Sequence, residues 1–289
     1  MGCCSRSRRA SCAFPLRYVE IGNEDENDSS RSYDRRFAQL ATAIRAKYPQ
    51  YKLIATTPVK IGSPDLIDDH YYKLPDEFFD FVHHYDAADR HGPKIFIGEW
   101  ATRTGSPTPD FGAALGDAAW MTAMERNSDL IVMSSYAPLL VHVNLGGMQW
   151  FADLIGFDAL RTYSSPSYWA QVLFGAHLGN RTVQTNAVGL GSRIFWSATV
   201  SPDGRMLYLK MVNASEKSTT MNLTLEGAKP GDAYGIKLHA LTRFDTNSME
   251  NPDNIAPHAF HRNHPWRLME LYAGREHNRS RGHSITLSD

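Results

Sequence analysis

Residues 94–100 read KIFIGEW, a short apolar run that ends in Gly98-Glu99-Trp100, and this segment decides the fold. A continuous apolar run of this length indicates a strand buried on both faces, as in a parallel sheet covered by helices. Ionisable residues at the carboxyl end of such a strand lie where TIM barrels and open doubly wound sheets carry their chemistry. The segment therefore predicts an α/β fold with Glu99 at the functional edge of a parallel sheet.

Strand-like and helical segments alternate around this run, from Tyr18 to Tyr136. The clearest helix covers 33–48, where apolar residues recur at helical spacing until Pro49 ends the pattern. The other predicted segments are strands at 18–24, 51–56, 64–72 and 129–136, and helices at 75–86 and 111–126. This alternation is typical of a parallel sheet built from strand–helix–strand units.

The second half of the chain follows a different pattern. Strands of alternating polarity are predicted at 193–200, 205–213, 218–225 and 234–241, with Gly- and Pro-containing turns between them. That pattern favours an antiparallel β-sandwich. From about His258 the periodicity fails, and residues 258–289 are predicted to form an atypical, disordered tail.

Composition excludes several classes of function. The 289 residues carry 30 Lys and Arg against 31 Asp and Glu, which removes the electrostatic argument for nucleic acid. No apolar run approaches the ~20 residues of a membrane-spanning helix. Cys3, Cys4 and Cys12 all lie near the start, so no disulfide or Cys-ligated metal is expected in the body.

Residues 1–17 lack the apolar stretch of a secretory signal peptide and are predicted to be a disordered or non-native tail. Cys3 and Cys4 lie beside several arginines, and an acylated basic anchor is the alternative for this segment. That alternative would make the chain a membrane-tethered interaction protein. Otherwise membrane association is not expected.

Two carboxylates follow predicted strands: Glu24, within Gly22-Asn23-Glu24, and Glu99. Either one alone is most simply a solvated charge or a helix cap. Together, at the carboxyl ends of two parallel strands, they match the pair that glycoside hydrolysis uses. One carboxyl group protonates the leaving oxygen, and the other attacks the sugar or activates water.

Several motifs in this order resemble the α-L-arabinofuranosidases of glycoside hydrolase family 51, over roughly residues 18–257. They are Glu20–Glu24 (EIGNE), Asp68–Tyr72 (DDHYY), Ile97–Ala101 (IGEWA), Ser135–Leu139 (SYAPL) and Pro166–Trp169 (PSYW). The resemblance implies a (β/α)8 barrel followed by a β-sandwich. It also implies a retaining exo-hydrolase that removes terminal α-L-arabinofuranosyl groups from arabinoxylan, arabinan or arabinogalactan, without a metal or another cofactor.

The resemblance also implies roles for individual residues. Glu24 would be the acid/base and Glu99 the nucleophile. Asn23 would bind the sugar 2-hydroxyl, and His70 and Tyr72 would line the sugar pocket and orient the nucleophile. Trp100 would either stack on the sugar or pack beneath the barrel mouth. The expected partners are arabinose-containing polysaccharides or oligosaccharides, and the expected location is extracellular or in a cell wall.

The chain departs from this family at its start. The family places the acid/base after the fourth barrel strand, and only residues 1–17 precede that strand here. The expected fold is therefore α/β plus all-β: a partial TIM barrel (about strands 4–8) at 18–185, then an antiparallel β-sandwich at 186–257. The sequence looks like a truncated version of a longer enzyme.

Several functional hypotheses stay open. The leading one is an active α-L-arabinofuranosidase. The main alternative is a catalytically inactive truncated fragment that binds carbohydrate weakly at most. A related glycosidase with the same barrel, such as a β-glycanase, and a homo-oligomer that completes the sheet edges also stay open.

Overall fold

The computed structural model describes residues 14–219, 221–227, 234–261, 268–273 and 283–288. Cys3, Cys4 and Cys12, and the acylation hypothesis that depends on them, lie outside the described residues. The chain divides into two compact units. The first unit contains residues 1–70 and 90–98, and the second contains 71–89 and 99–289.

The first unit is a parallel α/β layer. It contains β1 (Tyr18–Ile21), α1 (Tyr33–Lys47), β2 (Lys52–Ala55) and the first parts of β3 (Leu66–Lys73) and β4 (Lys94–Thr102). Strand β2 pairs in parallel with β1 on one side and with β3 on the other. The buried face of α1, with Phe37 and Ala41, packs against Leu53 and Ala55 of β2. The predicted helix at 33–48 is thus confirmed, with its apolar stripe covering the sheet.

The α/β strands follow chain order in one five-stranded sheet, β1-β2-β3-β4-β5, where β5 is Ile131–Tyr136. Strand β4 continues four residues beyond the predicted end at Gly98, so Glu99 lies inside the strand. The extension follows from burial, because Trp100, Ala101 and Thr102 are all buried. An α/β sheet is therefore confirmed.

In the part of the second unit that the structure describes, the helices are α2 (Pro75–Phe81), α3 (Phe111–Arg126) and α4 (Pro166–Ala176). Helix α2 ends at Phe81, before the predicted end at residue 86. Helix α3 is buried on every side, from Phe111 to Met124, as its Ala-, Gly- and Met-rich sequence allows. Asp110 caps α3 by accepting a hydrogen bond from the Ala113 N–H. Among the described residues, no helix is long and apolar enough to cross a membrane.

The other strands that the structure describes in the second unit form three sheets. A small sheet has the order β6-β7-β8, with β6 at Leu140–His142, β7 at Ile155–Phe157 and β8 at Thr162–Ser164. The next strands are β9 (Arg181–Thr182), β10 (Gln184–Val188), β11 (Ile194–Val200), β12 (Leu207–Asn213) and β13 (Met221–Leu225). They are followed by β14 (Tyr234–Ala240), β15 (His258–His261), β16 (Leu268–Ala273) and β17 (His283–Ser288). These strands form a six-stranded sheet, β15-β14-β16-β12-β11-β9, and a three-stranded sheet, β10-β17-β13.

Apolar side chains from the six-stranded and three-stranded sheets share one core. Ala198, Leu209 and Met211 of the larger sheet are buried, and Met221 and Leu223 of β13 pack against them. The alternating polarity of the predicted strands therefore produces two sheets with facing apolar sides.

The chain end differs from the expectation in two ways. Residues 258–289 are predicted to be disordered, but they contain β15, β16 and β17. The six-stranded sheet is also mixed rather than antiparallel, because β16 pairs in parallel with both β12 and β14. The physical reason is the path of the chain. Strand β13, between β12 and β14 in sequence, belongs to the three-stranded sheet, so β14 runs in the same direction as β12. Strand β16 lies between β12 and β14 and is parallel to both.

A buried ion pair joins α3 to the six-stranded sheet. Lys210 of β12 is 1% exposed, and its ammonium group forms an ion pair with Glu125 of α3. The other oxygen of Glu125 accepts a hydrogen bond of 2.6 Å from the Ser197 hydroxyl. The Lys210 ammonium group also lies over the ring of Phe174, 4.9 Å from its centroid. Burial lowers the pKa of Lys210, while the Glu125 carboxylate opposes that change.

A second buried charge lies within α3 itself. Asp117 is fully buried, and it accepts a hydrogen bond of 2.8 Å from the Thr102 N–H at the end of β4. Burial raises the pKa of Asp117 to about 6 from 3.8, although hydrogen-bond donors on Ser167 and Thr102 oppose the increase. The folded state therefore holds this proton more tightly than the unfolded chain does.

This difference in proton binding predicts that stability falls as pH rises. Below pH ~4 the Asp117 carboxyl is protonated in both states, and between pH ~4 and ~6 only the folded state keeps the proton. The shift of about two pKa units corresponds to about 3 kcal/mol of stability lost over that range. In Asp117→Asn the amide oxygen still accepts from Thr102, so we expect a higher melting temperature than wild type at pH 7.5 but not at pH 4.

The control is Asp253→Asn, since Asp253 is exposed. It should keep the pH dependence of the wild type. Identical melting curves for Asp117→Asn and wild type at both pH values would contradict this prediction.

Candidate active site

Glu24 lies three residues beyond β1, in a tightly constrained turn. Its φ of 49° is left-handed, and Gly22 before it has a φ of 115° that favours glycine. A Cβ on Gly22 would lie only 1.9 Å from Asp25 Oδ2. The same oxygen accepts hydrogen bonds of 3.0 Å from the Asn23 N–H and from the Thr56 hydroxyl. The turn that carries Glu24 is thus tied to the residue that follows β2.

Tyr33 of α1 joins the carboxyl ends of β1 and β2 by hydrogen bonds. Its hydroxyl donates a 2.6 Å hydrogen bond to the Ile21 carbonyl and accepts one of 2.9 Å from the Thr56 N–H. Burial raises the pKa of Tyr33, so the phenol stays neutral and keeps both roles. One side chain therefore fixes the carboxyl ends of β1 and β2 relative to each other.

His70 of β3 lies between two carboxyl groups of the first unit. Its Nδ1 is 2.9 Å from Glu24 Oε1, and its Nε2 is 2.9 Å from Asp68 Oδ2. The Asp68 side chain is 2% exposed and that of His70 12%, whereas that of Glu24 is 42% exposed. The imidazole therefore links a buried carboxylate to one that solvent or substrate can reach.

Asp68 is also bound to the backbone beside Glu99. Its second oxygen, Oδ1, accepts a 2.7 Å hydrogen bond from the Gly98 N–H. A Cβ on residue 98 would lie 2.3 and 2.6 Å from the two Asp68 oxygens. Position 98 must therefore be glycine for the carboxylate to lie against the backbone of β4.

Glu99 has a different partner, within the second unit. The Tyr72 hydroxyl donates a 2.6 Å hydrogen bond to Glu99 Oε2. The Arg103 guanidinium group lies 5.8 Å from the Tyr72 ring centroid and 5.5 Å from that of Phe151. Such cation–π contacts hold the phenol side chain in place. Glu99 is thus bound by an oriented hydroxyl group.

Comparison with known families decides the family of this chain. Residues 8–90 match the family model of the α-L-arabinofuranosidase 1 domain, and residues 98–267 match that of the α-L-arabinofuranosidase C-terminal domain. The second match alone covers more than half of the chain. This chain belongs to the α-L-arabinofuranosidases of glycoside hydrolase family 51.

Relatives from plants and bacteria share this family. Alpha-L-arabinofuranosidase 2 of Arabidopsis thaliana is 34% identical over 255 residues, which is 84% of this chain and 37% of the plant protein. The extracellular exo-α-L-arabinofuranosidase of Streptomyces chartreusis is 35% identical over 188 residues, 60% of this chain and 22% of that protein. The chain thus spans less than two fifths of the length of these relatives.

Solved structures of arabinofuranosidases have the same fold. The arabinose-bound GH51 enzyme MgGH51 superposes with a TM-score of 0.81 at 32% identity, over 88% of this chain and 43% of that structure. The Thermotoga maritima α-L-arabinofuranosidase in complex with arabinose gives 0.66 at 17% identity, over 88% of this chain and 64% of that structure. The second likeness concerns the fold alone.

The structure favours packing over sugar stacking as the role of Trp100 in this arabinofuranosidase chain. Trp100 is 1% exposed, and its ring meets that of Tyr136 edge-on at 5.2 Å. Successive side chains alternate between the faces of a strand, so Trp100 points away from the face of Glu99. A buried indole offers no face to a sugar, and Trp100 is a packing residue. Asn23, by contrast, is exposed next to Glu24.

The motifs of the arabinofuranosidase sequence identified some neighbours of the carboxylates and missed others. The structure brings Glu24 to His70 in the first unit and Tyr72 to Glu99 in the second. Sequence reasoning missed Asp68 and Arg103. Asp68 lies within the DDHYY motif, two residues before His70, so strand alternation could have placed both side chains on one face. No sequence signal pointed to Arg103.

The close contact between Gly98 and Asp68 predicts a cost for Gly98→Ala. The added methyl group would overlap both Asp68 oxygens, so the carboxylate or the backbone of β4 must move. We expect a destabilisation of about 1–3 kcal/mol in denaturant unfolding.

The matched control is Gly175→Ala in α4, where a Cβ meets nothing within 4 Å. That change should be neutral or slightly stabilising, because alanine favours a helix over glycine. Equal stability of the two variants would contradict the assigned role of Gly98.

Proposed function

We propose that this chain is a retaining α-L-arabinofuranosidase, which hydrolyses terminal non-reducing α-L-arabinofuranosyl groups of arabinoxylan- or arabinan-type glycans. The observation that carries the proposal is that each of the two family carboxylates has a specific partner. Glu24 meets an imidazole, and Glu99 meets a phenol. Different surroundings are what separates an acid from a nucleophile among chemically identical carboxyl groups.

Glu99 suits the role of nucleophile. A nucleophilic carboxylate must be held in one orientation, and the short O–H···O contact of 2.6 Å from Tyr72 holds Glu99 in this way. The stacking of Arg103 on the Tyr72 ring restricts the phenol that makes this contact. In the first step, Glu99 attacks the anomeric carbon and forms a glycosyl ester.

Glu24 suits the role of acid/base. Its side chain is more exposed than that of His70 or Asp68, so a substrate oxygen can reach it. In the first step the carboxyl of Glu24 gives its proton to the leaving oxygen. In the second step the carboxylate takes a proton from the water that cleaves the ester. Asn23, which precedes Glu24 and is exposed, would bind the sugar 2-hydroxyl.

Strand β3 carries a partner residue for each carboxylate. His70 and Tyr72 are two residues apart on this strand, and side chains at that spacing share one face. One face of β3 thus supplies a partner for Glu24 and a partner for Glu99. Retention of configuration requires the two carboxyl groups to lie about 5–5.5 Å apart.

The finer architecture and the location are part of the proposal. The five-stranded sheet would correspond to about strands 4–8 of a (β/α)8 barrel within 18–185, and the later sheets to a C-terminal β-sandwich starting near 186. The superposition on MgGH51 supports this assignment. A relative is named an extracellular enzyme, which supports action on extracellular or cell-wall glycans.

The test is hydrolysis of 4-nitrophenyl α-L-arabinofuranoside by the 289-residue chain and its variants. Glu99→Gln removes the nucleophile, so we expect activity at the level of the buffer. Glu24→Ala should lower turnover by about 10²- to 10⁴-fold. Azide needs no general base, so it should restore turnover in Glu24→Ala but not in Glu99→Gln.

Glu216→Gln is the matched control, because Glu216 is exposed on the sheet region of the second unit, and it should keep full activity. Undiminished hydrolysis by Glu99→Gln would disprove the assigned roles. A folded wild type without any hydrolysis would favour the inactive-fragment hypothesis.

A further inference from the structure

Asp68, His70 and Glu24 form a continuous chain of three side chains within the first unit. The imidazole meets a carboxyl oxygen at each ring nitrogen, and both distances are 2.9 Å. A neutral imidazole has one N–H donor and one bare acceptor nitrogen, so it cannot donate a hydrogen bond to both carboxyl groups. If the ring proton is on Nε2, Glu24 faces the acceptor nitrogen Nδ1.

Both oxygens of the Asp68 carboxylate are held in place by hydrogen-bond partners. Its Oδ1 accepts from the Gly98 N–H at 2.7 Å, and its side chain is 2% exposed. The absence of a Cβ on Gly98 lets the carboxylate lie flat against β4. A carboxylate is an acceptor only, so the ring nitrogen that faces Oδ2 must carry the hydrogen. Asp68 thus places a proton on His70 Nε2.

With Nε2 protonated, one remaining proton lies between His70 Nδ1 and Glu24 Oε1. Either Glu24 is a carboxylic acid that donates to Nδ1, or Nδ1 is protonated and Glu24 accepts. Loss of this proton would leave two lone pairs facing each other at 2.9 Å, which is unfavourable. The contact between His70 Nδ1 and Glu24 Oε1 therefore holds one shared proton, which the pair can give to the leaving oxygen.

We propose that Asp68 is a positioning residue that fixes His70 with its proton on Nε2, so that His70 Nδ1 and Glu24 Oε1 share one proton that the pair delivers as the acid. The role of this shared proton in catalysis rests on the proposed glycosidase function, whereas the position of the ring proton on Nε2 does not. In the first step, the proton of the His70–Glu24 pair passes to the glycosidic oxygen while Glu99 forms the ester. In the second step, the pair regains a proton from water.

Asp68→Asn tests the proposal because the amide has one donor end and one acceptor end. If its oxygen keeps the Gly98 N–H, its NH₂ group faces His70 Nε2, which must then be bare. The proton of a neutral ring moves to Nδ1, and Glu24 becomes an obligatory acceptor. The variant should therefore be a poor acid while keeping the shape of the site.

The first measurement is the tautomer of His70 by long-range ¹H–¹⁵N correlation NMR, assigned with His70→Gln. We expect a proton on Nε2 in the wild type and a bare Nε2 in Asp68→Asn. A wild-type His70 with a bare Nε2 would overturn the proposal without any variant. This measurement does not require the chain to hydrolyse anything.

The second measurement compares leaving groups. 4-Nitrophenyl α-L-arabinofuranoside needs little acid assistance, whereas methyl α-L-arabinofuranoside depends on it. We expect Asp68→Asn to lose kcat/KM for the methyl glycoside at least about 10-fold more than for the nitrophenyl glycoside. Asp69→Asn makes the same chemical change on the opposite face of β3 and should keep the wild-type ratio.

The outcomes separate this inference from the proposed function. Equal losses on both substrates in Asp68→Asn, with an unchanged tautomer, would overturn the positioning role and leave the glycosidase standing. The expected tautomers without hydrolysis by the wild type would refute the glycosidase function and support the positioning of His70 by Asp68.

Discussion

The hydrogen bonds of the Asp68 carboxylate are the constraint on which the site of the first unit depends. A carboxylate that is 2% exposed must have its acceptors satisfied, and the Gly98 N–H and the His70 ring satisfy them. The first bond requires a glycine just before Glu99. The second sets the direction in which the imidazole faces Glu24. The buried Asp68 carboxylate thus explains why Gly98 occurs in the IGEWA motif and why His70 occurs in the DDHYY motif.

The two candidate carboxylates depend on elements that are held in place by packing. Tyr33 joins the ends of β1 and β2, so the turn that carries Glu24 starts from a fixed point. Tyr72 is held against Arg103, so Glu99 meets a hydroxyl group of fixed direction. Both candidate carboxylates lie in a chain that spans less than two fifths of the length of these relatives.

The α/β strands could be predicted from the sequence, and Glu24 and Glu99 could be proposed as the functional pair, because both depend on local patterns. Apolar runs with polar ends mark buried strands, and Glu24 and Glu99 follow such runs. The burial of Trp100 and the contact of Arg103 with Tyr72 depend on distant residues, which no local pattern reveals. The strands after residue 258 were missed for a related reason. Strand β16 pairs through its backbone in the gap between β12 and β14, and that pairing needs no alternation of side chains.

The ion pair of Lys210 and Glu125 restricts which substitutions this chain tolerates. Loss of either partner leaves a charge buried without compensation, which typically costs about 3–5 kcal/mol. Replacement of both by apolar side chains of similar volume is often tolerated. Selection should therefore remove single substitutions at these two positions, whereas simultaneous apolar replacement of both residues should be tolerated. The positions on α3 and β12 are expected to covary among relatives, although they are 85 residues apart.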